Sequence, residues 1–117
     1  MTRLFVYGTL KRGCRSHRLI ENQVYLGETR TVPGFRLFHL GQHPGMVRSS
    51  DSSSSVSGEV YLIDDTCLRA LDAFEGVAEG LYSREWIELA PPSGAAFAYL
   101  YLLTTKGRQP LDGTWTE

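Results

Sequence analysis

The longest apolar run in this chain, Ala95–Leu103, has only nine residues, and this shortness limits what the chain can fold into. A helix needs about 20 apolar residues to span the hydrocarbon core of a bilayer, so the sequence predicts no membrane-spanning helix. Short apolar runs separated by glycine, proline and serine are instead typical of buried strands. We therefore expect a β-rich globular chain.

The size and composition of the chain fit one domain, residues 1–117. Hydrophobic residues make up 42% of the chain and charged residues 21%, which supplies enough apolar side chains for a packed core. A chain of 117 residues also lies in the usual range for a single domain. We expect neither a second domain nor intrinsic disorder.

Twelve basic residues nearly balance thirteen acidic ones, and the net charge of −1 gives no general attraction for nucleic acid or anionic membranes. The charges are unevenly distributed, because residues 1–20 contain five basic residues and no acid. These are Arg3, Lys11, Arg12, Arg15 and Arg18. An acidic small molecule is therefore the favoured partner near this segment. RNA binding by the same segment is a competing hypothesis.

Two features favour a reducing, cytoplasmic location. Cys14 and Cys67 are the only cysteines, which is too few for a disulfide framework and lacks the paired spacing of a zinc site. The chain also passes from Met1 directly into the apolar run Leu4–Tyr7, without the pattern of a secretory signal. We expect a cytoplasmic protein.

Apolar periodicity and turn residues predict five or six strands and two short helices. The predicted strands are residues 4–7, 24–29, 35–40, 58–63, 81–89 and 96–103. One helix covers about residues 66–75, with Asp64 or Asp65 as its N-cap and Gly76 as its stop. Ser16 caps the other helix. Residues 43–45 are predicted as a tight turn and residues 49–57 as a polar loop.

Strands and helices do not alternate regularly, which argues against a parallel sheet. The predicted class is α+β: a small mixed, mostly antiparallel β-barrel of five to six strands with two short helices.

Glu75 is the most informative single residue, because helical geometry places it within about 40° of both Leu68 and Leu71. Its carboxylate either points toward the apolar face or turns into solvent at the end of the helix. An inward carboxylate would have a raised pKa, because burial and the negative helix end both disfavour its charge. A carboxylate of this kind can transfer protons near neutral pH.

The segment Tyr7-Gly8-Thr9-Leu10 is a second candidate, because a buried strand ends there in a glycine. Successive backbone N–H groups then lose their strand partners, and such a turn can form an anion site. The spacing of a phosphate-binding P-loop is absent. A plain turn between strand and loop is the alternative.

The remaining polar candidates carry weaker signals. Cys14 and His17 are three residues apart, a spacing that allows a nucleophile pair, but no third residue to orient the imidazole is evident. The histidine spacings match no common metal site, so we predict no metal. Tyr99 and Tyr101 share a strand face as core or pocket residues. Arg84 shares a face with Tyr82, where it either pairs with a buried carboxylate or holds a substrate anion.

Four ordered motifs resemble the gamma-glutamylcyclotransferase family, which includes AIG2-like proteins and the gamma-glutamylamine cyclotransferases. The motifs are Val6–Gly13, Gly58–Tyr61, Leu71–Gly76 and Tyr82–Arg84, and the likeness extends from residue 4 to about residue 103. Residues Gly8-Thr9-Leu10 stand where the glutathione-degrading branches have a glycine, serine and asparagine run. In motif the chain is therefore most similar to the gamma-glutamylamine cyclotransferases.

This resemblance implies a site between the Tyr7–Leu10 loop and the end of the helix that carries Glu75. Glu75 matches the family's catalytic carboxylate. Tyr7, Gly8, Thr9 and Leu10 match the loop that holds the gamma-glutamyl head group, and Tyr82 matches a tyrosine lining the pocket. The implied activity is cofactor-independent cyclisation of a gamma-glutamyl amide to 5-oxoproline with release of an amine.

A non-catalytic module that binds a small acidic, glutamyl-like metabolite is the alternative, because a shared fold does not by itself establish chemistry. The predicted partner is a small gamma-glutamyl molecule, with neither nucleic acid nor a membrane as partner. The sequence identifies neither the attached amine or peptide nor the oligomeric state.

Overall fold

The computed structural model describes residues 1–117 and contains eight strands, one α-helix and a 3-10 helix of three residues. The strands before the α-helix are β1 (Thr2–Val6), β2 (Val24–Arg30), β3 (Phe35–His39), β4 (Pro44–Arg48) and β5 (Ser57–Ile63). The elements that follow are α1 (Asp65–Phe74), β6 (Tyr82–Glu88), β7 (Ala95–Tyr101) and β8 (Gln109–Leu111). The 3-10 helix, His17–Leu19, lies between β1 and β2.

All eight strands belong to one mixed sheet with the order β2-β5-β1-β7-β4-β3-β8, and β6 pairs with β7. β7 runs parallel to β1 and to β4, and the other pairs are antiparallel. The sheet curls until the ends of β2 and β6 meet. There the Val32 N–H donates to the Glu88 carbonyl at 3.2 Å, and the Ala90 N–H donates to the Arg30 carbonyl at 2.9 Å.

The mixed, mostly antiparallel sheet of the predicted α+β class is therefore present, as a half-barrel. The predicted count of five to six strands was wrong, because β4 and β8 were not recognised. β4 begins with Pro44 and Gly45, which a sequence pattern indicates as turn residues, whereas the actual turn precedes them and is closed by the Leu40 N–H on the His43 carbonyl. β8 has only three residues and includes Pro110, so it carries almost no strand signal.

The second predicted helix was also wrong in type. Ser16 precedes a 3-10 helix of three residues and makes no capping hydrogen bond through its side chain. Three residues are too few for a regular α-helix, and the chain enters β2 at Val24. Neither helix in the chain combines the length and the hydrophobicity that crossing a bilayer requires.

Alternation along β1 separates the core into two clusters, one on each face of the sheet. Phe5 belongs to the cluster enclosed by the half-barrel, together with Met46 and Leu100. Leu4 and Val6 belong to the cluster on the other face, which α1 covers. This second cluster supports the region where β1 ends.

Helix α1 has the cap residues that the sequence predicts. The Asp64 carboxylate accepts a hydrogen bond from the Cys67 N–H at 2.7 Å, and Leu68 and Leu71 are the buried residues of the helix. Gly76 follows with a φ of +70°, a left-handed conformation that favours glycine and ends the helix. Glu75 is therefore the last residue with helical backbone angles.

The predicted polar loop, residues 49–57, is less exposed to solvent than expected. Val56 is fully buried, and its N–H donates to the Thr31 hydroxyl at 3.0 Å. Asp51 organises the exposed part by accepting hydrogen bonds from the N–H and hydroxyl of Ser53. The segment thus contributes one core residue and otherwise forms a surface connection.

Candidate active site

A cavity of about 210 Å³ opens where the end of β1, the start of β4, the end of α1 and the start of β6 converge. Its volume suits a small molecule rather than a polymer. The lining residues are Phe5, Val6, Tyr7, Gly8, Thr9, Leu10, Arg15, Ser16, His43, Pro44, Phe74, Glu75, Leu81, Tyr82 and Tyr99. Six of the seven predicted site residues therefore lie at one cavity, and the exception is Arg84.

Glu75 supplies the only carboxylate among the lining residues. The left-handed turn at Gly76 stops the helix directly after Glu75 and takes the chain away, so the carboxylate stays at the cavity rather than in open solvent. Burial raises the pKa of Glu75 from 4.5 to about 7. A proton acceptor that titrates near neutrality is well matched to proton transfer.

Three tyrosines line the cavity around Glu75, and each of them donates its hydroxyl proton to another group of the protein. The hydroxyl of Tyr7 donates to the Tyr99 carbonyl at 2.7 Å, and that of Tyr82 donates to the Pro44 carbonyl at 2.9 Å. The Tyr99 hydroxyl donates to Asp72 Oδ1 at 2.7 Å. Burial raises the pKa of each tyrosine, and the nearby charge of Glu75 raises it further. All three hydroxyl protons are engaged within the protein, which leaves Glu75 as the acidic group available to a ligand.

The loop after β1 supplies hydrogen-bond donors to the cavity. The Lys11 N–H donates to the Gly8 carbonyl at 3.1 Å and closes the turn. The backbone N–H groups of Gly8, Thr9 and Leu10 donate no hydrogen bond within the protein. Three adjacent free donors on one wall make a suitable site for a carboxylate or an oxyanion.

Glycine at position 8 allows this loop to lie against β4. A Cβ on Gly8 would be 2.8 Å from Pro44 Cγ and 3.0 Å from Pro44 Cδ. Either the loop or the proline ring would have to move to accommodate a side chain. The glycine is therefore explained by close approach, since its φ is not positive.

Glu59 fixes the far end of this loop, a role that sequence reasoning missed. Its buried carboxylate accepts hydrogen bonds from the Arg12 N–H and the Tyr61 hydroxyl, each at 3.0 Å. The Arg12 guanidinium lies 3.7 Å from its second oxygen. Glu59 belongs to the Gly58–Tyr61 motif, and the available signal was an acid in the middle of a buried strand.

Arg84 does not reach the cavity. Its guanidinium makes two hydrogen bonds to Asp72, from Nε at 2.9 Å and from Nη2 at 3.1 Å, and it stacks over the ring of Phe97. Of the two roles considered for Arg84, the structure shows the ion pair. Asp72 thereby links β6, β7 and α1 close to Glu75, because it also accepts the hydrogen bond from Tyr99.

Among the basic residues that follow β1, Lys11 and Arg12 are bonded within the protein, whereas Arg15 lines the cavity. Lys11 Nζ donates to the Trp115 carbonyl at 2.6 Å, and Arg12 is occupied by Glu59 and by the ring of Tyr25. Arg15 lines the cavity and forms no ion pair through its guanidinium. It is therefore the positive charge available to a ligand.

Cys14 and His17 do not form a nucleophile pair. His17 Nδ1 donates to the Leu10 carbonyl at 2.9 Å, so the imidazole is bonded to the loop instead. Burial is the main cause that raises the pKa of the Cys14 thiol, the opposite of what an activated cysteine requires. No three His, Cys, Asp or Glu side chains come together as a metal site.

Several lining residues were not among the predicted site residues, although Arg15 belongs to the basic segment near which an acidic ligand was expected. Arg15, Ser16, Phe74 and Leu81 come from different segments that only the folded chain brings together. His43 also lines the cavity, and its pKa is lowered mainly by burial and further by nearby cations such as Arg15. A neutral imidazole and an unpaired guanidinium thus lie at the same cavity.

Residues 4–117 match the protein family described as gamma-glutamyl cyclotransferase, AIG2-like. A protein of Vibrio cholerae is 38% identical over 115 residues, which cover 97% of this chain and 95% of that protein. The gamma-glutamylaminecyclotransferase of Rattus norvegicus is 32% identical over 120 residues, covering 90% of this chain and 80% of the rat enzyme.

Solved structures show the same architecture. The solution structure of protein ytfP from Escherichia coli superimposes with a TM-score of 0.72 at 35% identity, covering 97% of this chain and 94% of ytfP. An AIG2-like protein from Mus musculus gives a TM-score of 0.72 at 29% identity, covering 90% of this chain and 78% of the mouse protein. The half-barrel is thus shared along nearly the whole chain.

Proposed function

The chain belongs to the gamma-glutamyl cyclotransferase, AIG2-like family, and from this premise we propose that it cyclises a gamma-glutamyl amide to 5-oxoproline and a free amine. The observation that carries the proposal is the position of Glu75. It is the only carboxylate in a cavity that is also lined by backbone N–H groups without partners in the protein. That combination provides one proton carrier and one anion site, which are the two functions the reaction needs.

In the proposed reaction the substrate supplies its own nucleophile. The α-amine nitrogen attacks the γ-carbonyl carbon, so that one carbon–nitrogen bond of a five-membered lactam forms and the original amide bond breaks. Glu75 takes a proton from the attacking nitrogen and returns one to the departing nitrogen. Atoms balance without water, oxidant or cofactor, and the products are 5-oxoproline and the amine.

Orientation is the second contribution that we assign to the cavity. Holding the amine and the carbonyl in a near-attack geometry can lower the barrier of such a reaction by roughly 7 to 11 kcal/mol. The N–H groups of Gly8, Thr9 and Leu10 would fix either the α-carboxylate or the oxyanion that forms at the γ-carbonyl. Tyr7 and Tyr82 line the cavity and would enclose the head group with their rings. Their hydroxyl protons are already donated to backbone carbonyls and would not be used to bind it.

The pH dependence follows from the ionisation of Glu75. Its carboxylate must be ionised in the free enzyme to accept the first proton, and burial raises its pKa to about 7. The value of kcat/KM should therefore rise with pH along an acidic limb centred near pH 7. A pH–rate profile with a gamma-glutamyl amine checks this expectation. A limb at the ordinary carboxylate value of 4.5 would show that the reacting group is not buried Glu75.

The direct test is a panel of gamma-glutamyl amines and gamma-glutamyl peptides, with 5-oxoproline as the measured product. The relative named gamma-glutamylaminecyclotransferase makes the amines the first choice. Turnover of any member supports the proposal. Thermal stabilisation by glutamate-like ligands without product from the whole panel would instead favour a non-catalytic module that binds an acidic metabolite.

A further inference from the structure

Ser16 carries a free hydroxyl at the wall of the cavity. The residue is only 6% exposed, and its side chain forms no hydrogen bond, including none that caps the 3-10 helix after it. No fully enclosed side-chain nitrogen or oxygen in the chain lacks a partner. The Ser16 hydroxyl is therefore accessible, and the space available to it is the cavity that Ser16 lines.

The backbone places this hydroxyl beside the loop with free donors. The Ser16 N–H donates to the Thr9 carbonyl at 2.9 Å, so Ser16 packs directly against that loop. The N–H groups of Gly8, Thr9 and Leu10 line the same cavity and are likewise unpaired. Four donors without protein partners are thus gathered in one part of the molecule.

The charge around these donors selects the kind of ligand group they suit. Arg15, the neighbour of Ser16, lines the cavity with an unpaired guanidinium, and Glu75 is the only lining carboxylate. Hydrogen-bond donors beside a positive charge bind an anionic acceptor best, and a carboxylate has two oxygens that can accept from several donors at once.

We propose that Ser16 is a substrate-binding residue whose hydroxyl donates to the α-carboxylate of the glutamyl head group, beside the N–H groups of Gly8, Thr9 and Leu10. The identity of this carboxylate rests on the proposed function. The assignment also gives the two sides of the ligand separate partners. The loop and Ser16 bind the α-carboxylate, while Glu75 accepts a proton from the α-amine.

Two lactams that differ only in the carboxylate test the assignment without turnover. 5-Oxoproline carries the α-carboxylate, and 2-pyrrolidinone is the same ring without it. In an NMR titration, Ser16→Ala should raise the Kd of 5-oxoproline about tenfold, equivalent to about 1.4 kcal/mol, and leave the Kd of 2-pyrrolidinone unchanged. Ser52→Ala, at an exposed serine, is the matched control and should change neither Kd.

Three results would overturn the assignment. They are an unchanged Kd for 5-oxoproline in Ser16→Ala, equal weakening of both lactams, and no binding of 5-oxoproline by the wild-type protein. A thermal melt of each variant separates lost binding from lost folding. Failure of the proposed function is distinguishable, because a protein that forms no product, yet loses affinity for 5-oxoproline alone in Ser16→Ala, refutes the reaction and leaves the Ser16 contact supported.

Discussion

Replacing Glu75 by glutamine is expected to lower kcat for 5-oxoproline formation by about 10²- to 10⁴-fold. Glutamine has nearly the same shape, but its amide accepts no proton from the attacking amine at neutral pH. The binding loop is untouched, so KM should change much less than kcat. Steady-state kinetics on the best substrate of the panel measure both constants.

Glu79→Gln is the matched control, because Glu79 is an exposed acid four residues further along the chain and lies outside the cavity. It should retain wild-type kcat. His43→Gln tests the other group in the cavity that can accept a proton. Wild-type turnover by Glu75→Gln, with activity lost in His43→Gln, would transfer the role of base to the imidazole.

Glu75→Gln should also change the stability of the fold, in a direction set by the pKa of Glu75. The carboxyl has a pKa of 4.5 when unperturbed and about 7 in the folded chain, so between these values the folded chain holds a proton that the unfolded chain has lost. The free energy of unfolding of the wild type therefore falls as pH rises through this range. Glutamine does not titrate, and Glu75→Gln should melt at a higher temperature than the wild type above pH 7.

Gly58→Ala is expected to destabilise the fold by about 3 kcal/mol or more, at the upper end of overpacking effects. Gly58 does not have a positive φ, so an alanine would meet no backbone restriction there. The difficulty is space, because a Cβ would collide with the Val6 carbonyl oxygen and lie 2.8 Å from Phe5 Cζ. The start of β5 would have to move away from the end of β1.

Chemical denaturation of Gly58→Ala and of Ser57→Ala measures this effect against a neighbouring exposed position. Ser57→Ala should remain within about 0.5 kcal/mol of the wild type. A loss below about 1 kcal/mol in Gly58→Ala would show that β1 and β5 separate more easily than their contacts indicate. A displaced β5 also moves Glu59, so activity should fall along with stability.

The sequence was sufficient for the elements whose signals are local. Asp64 and Gly76 define both ends of α1, and the continuous apolar run Leu4–Tyr7 predicts a buried strand. Glu75 was identified as the informative carboxylate because helical periodicity placed it near Leu71. Its catalytic role came from the resemblance and is still a prediction.

The features that the sequence did not reveal depend on contacts between distant segments. Arg84 lies on the predicted face, but Asp72 occupies its guanidinium, and only the folded chain places these two residues together. Ser16 and Arg15 reach the cavity because the segment after β1 folds back on Thr9. β4 was missed because Pro44 and Gly45 have turn-like identities in a strand position.

The small size of the site is consistent with chemistry in which the substrate supplies the nucleophile. An external nucleophile would need its own activating residues, and this cavity has one carboxylate and donors that suit anions. In the proposed reaction Glu75 transfers the protons and the donors bind the anionic group. Proton transfer by Glu75 requires its pKa to lie near neutrality.

The most direct test of the central claim is to identify the products of the wild-type enzyme in ¹⁸O-labelled water. Intramolecular cyclisation predicts 5-oxoproline and free amine in equal amounts, with no ¹⁸O in the 5-oxoproline, and NMR with mass spectrometry measures both. Release of free glutamate carrying ¹⁸O in its γ-carboxylate would instead mean that water is the nucleophile, and it would contradict the account.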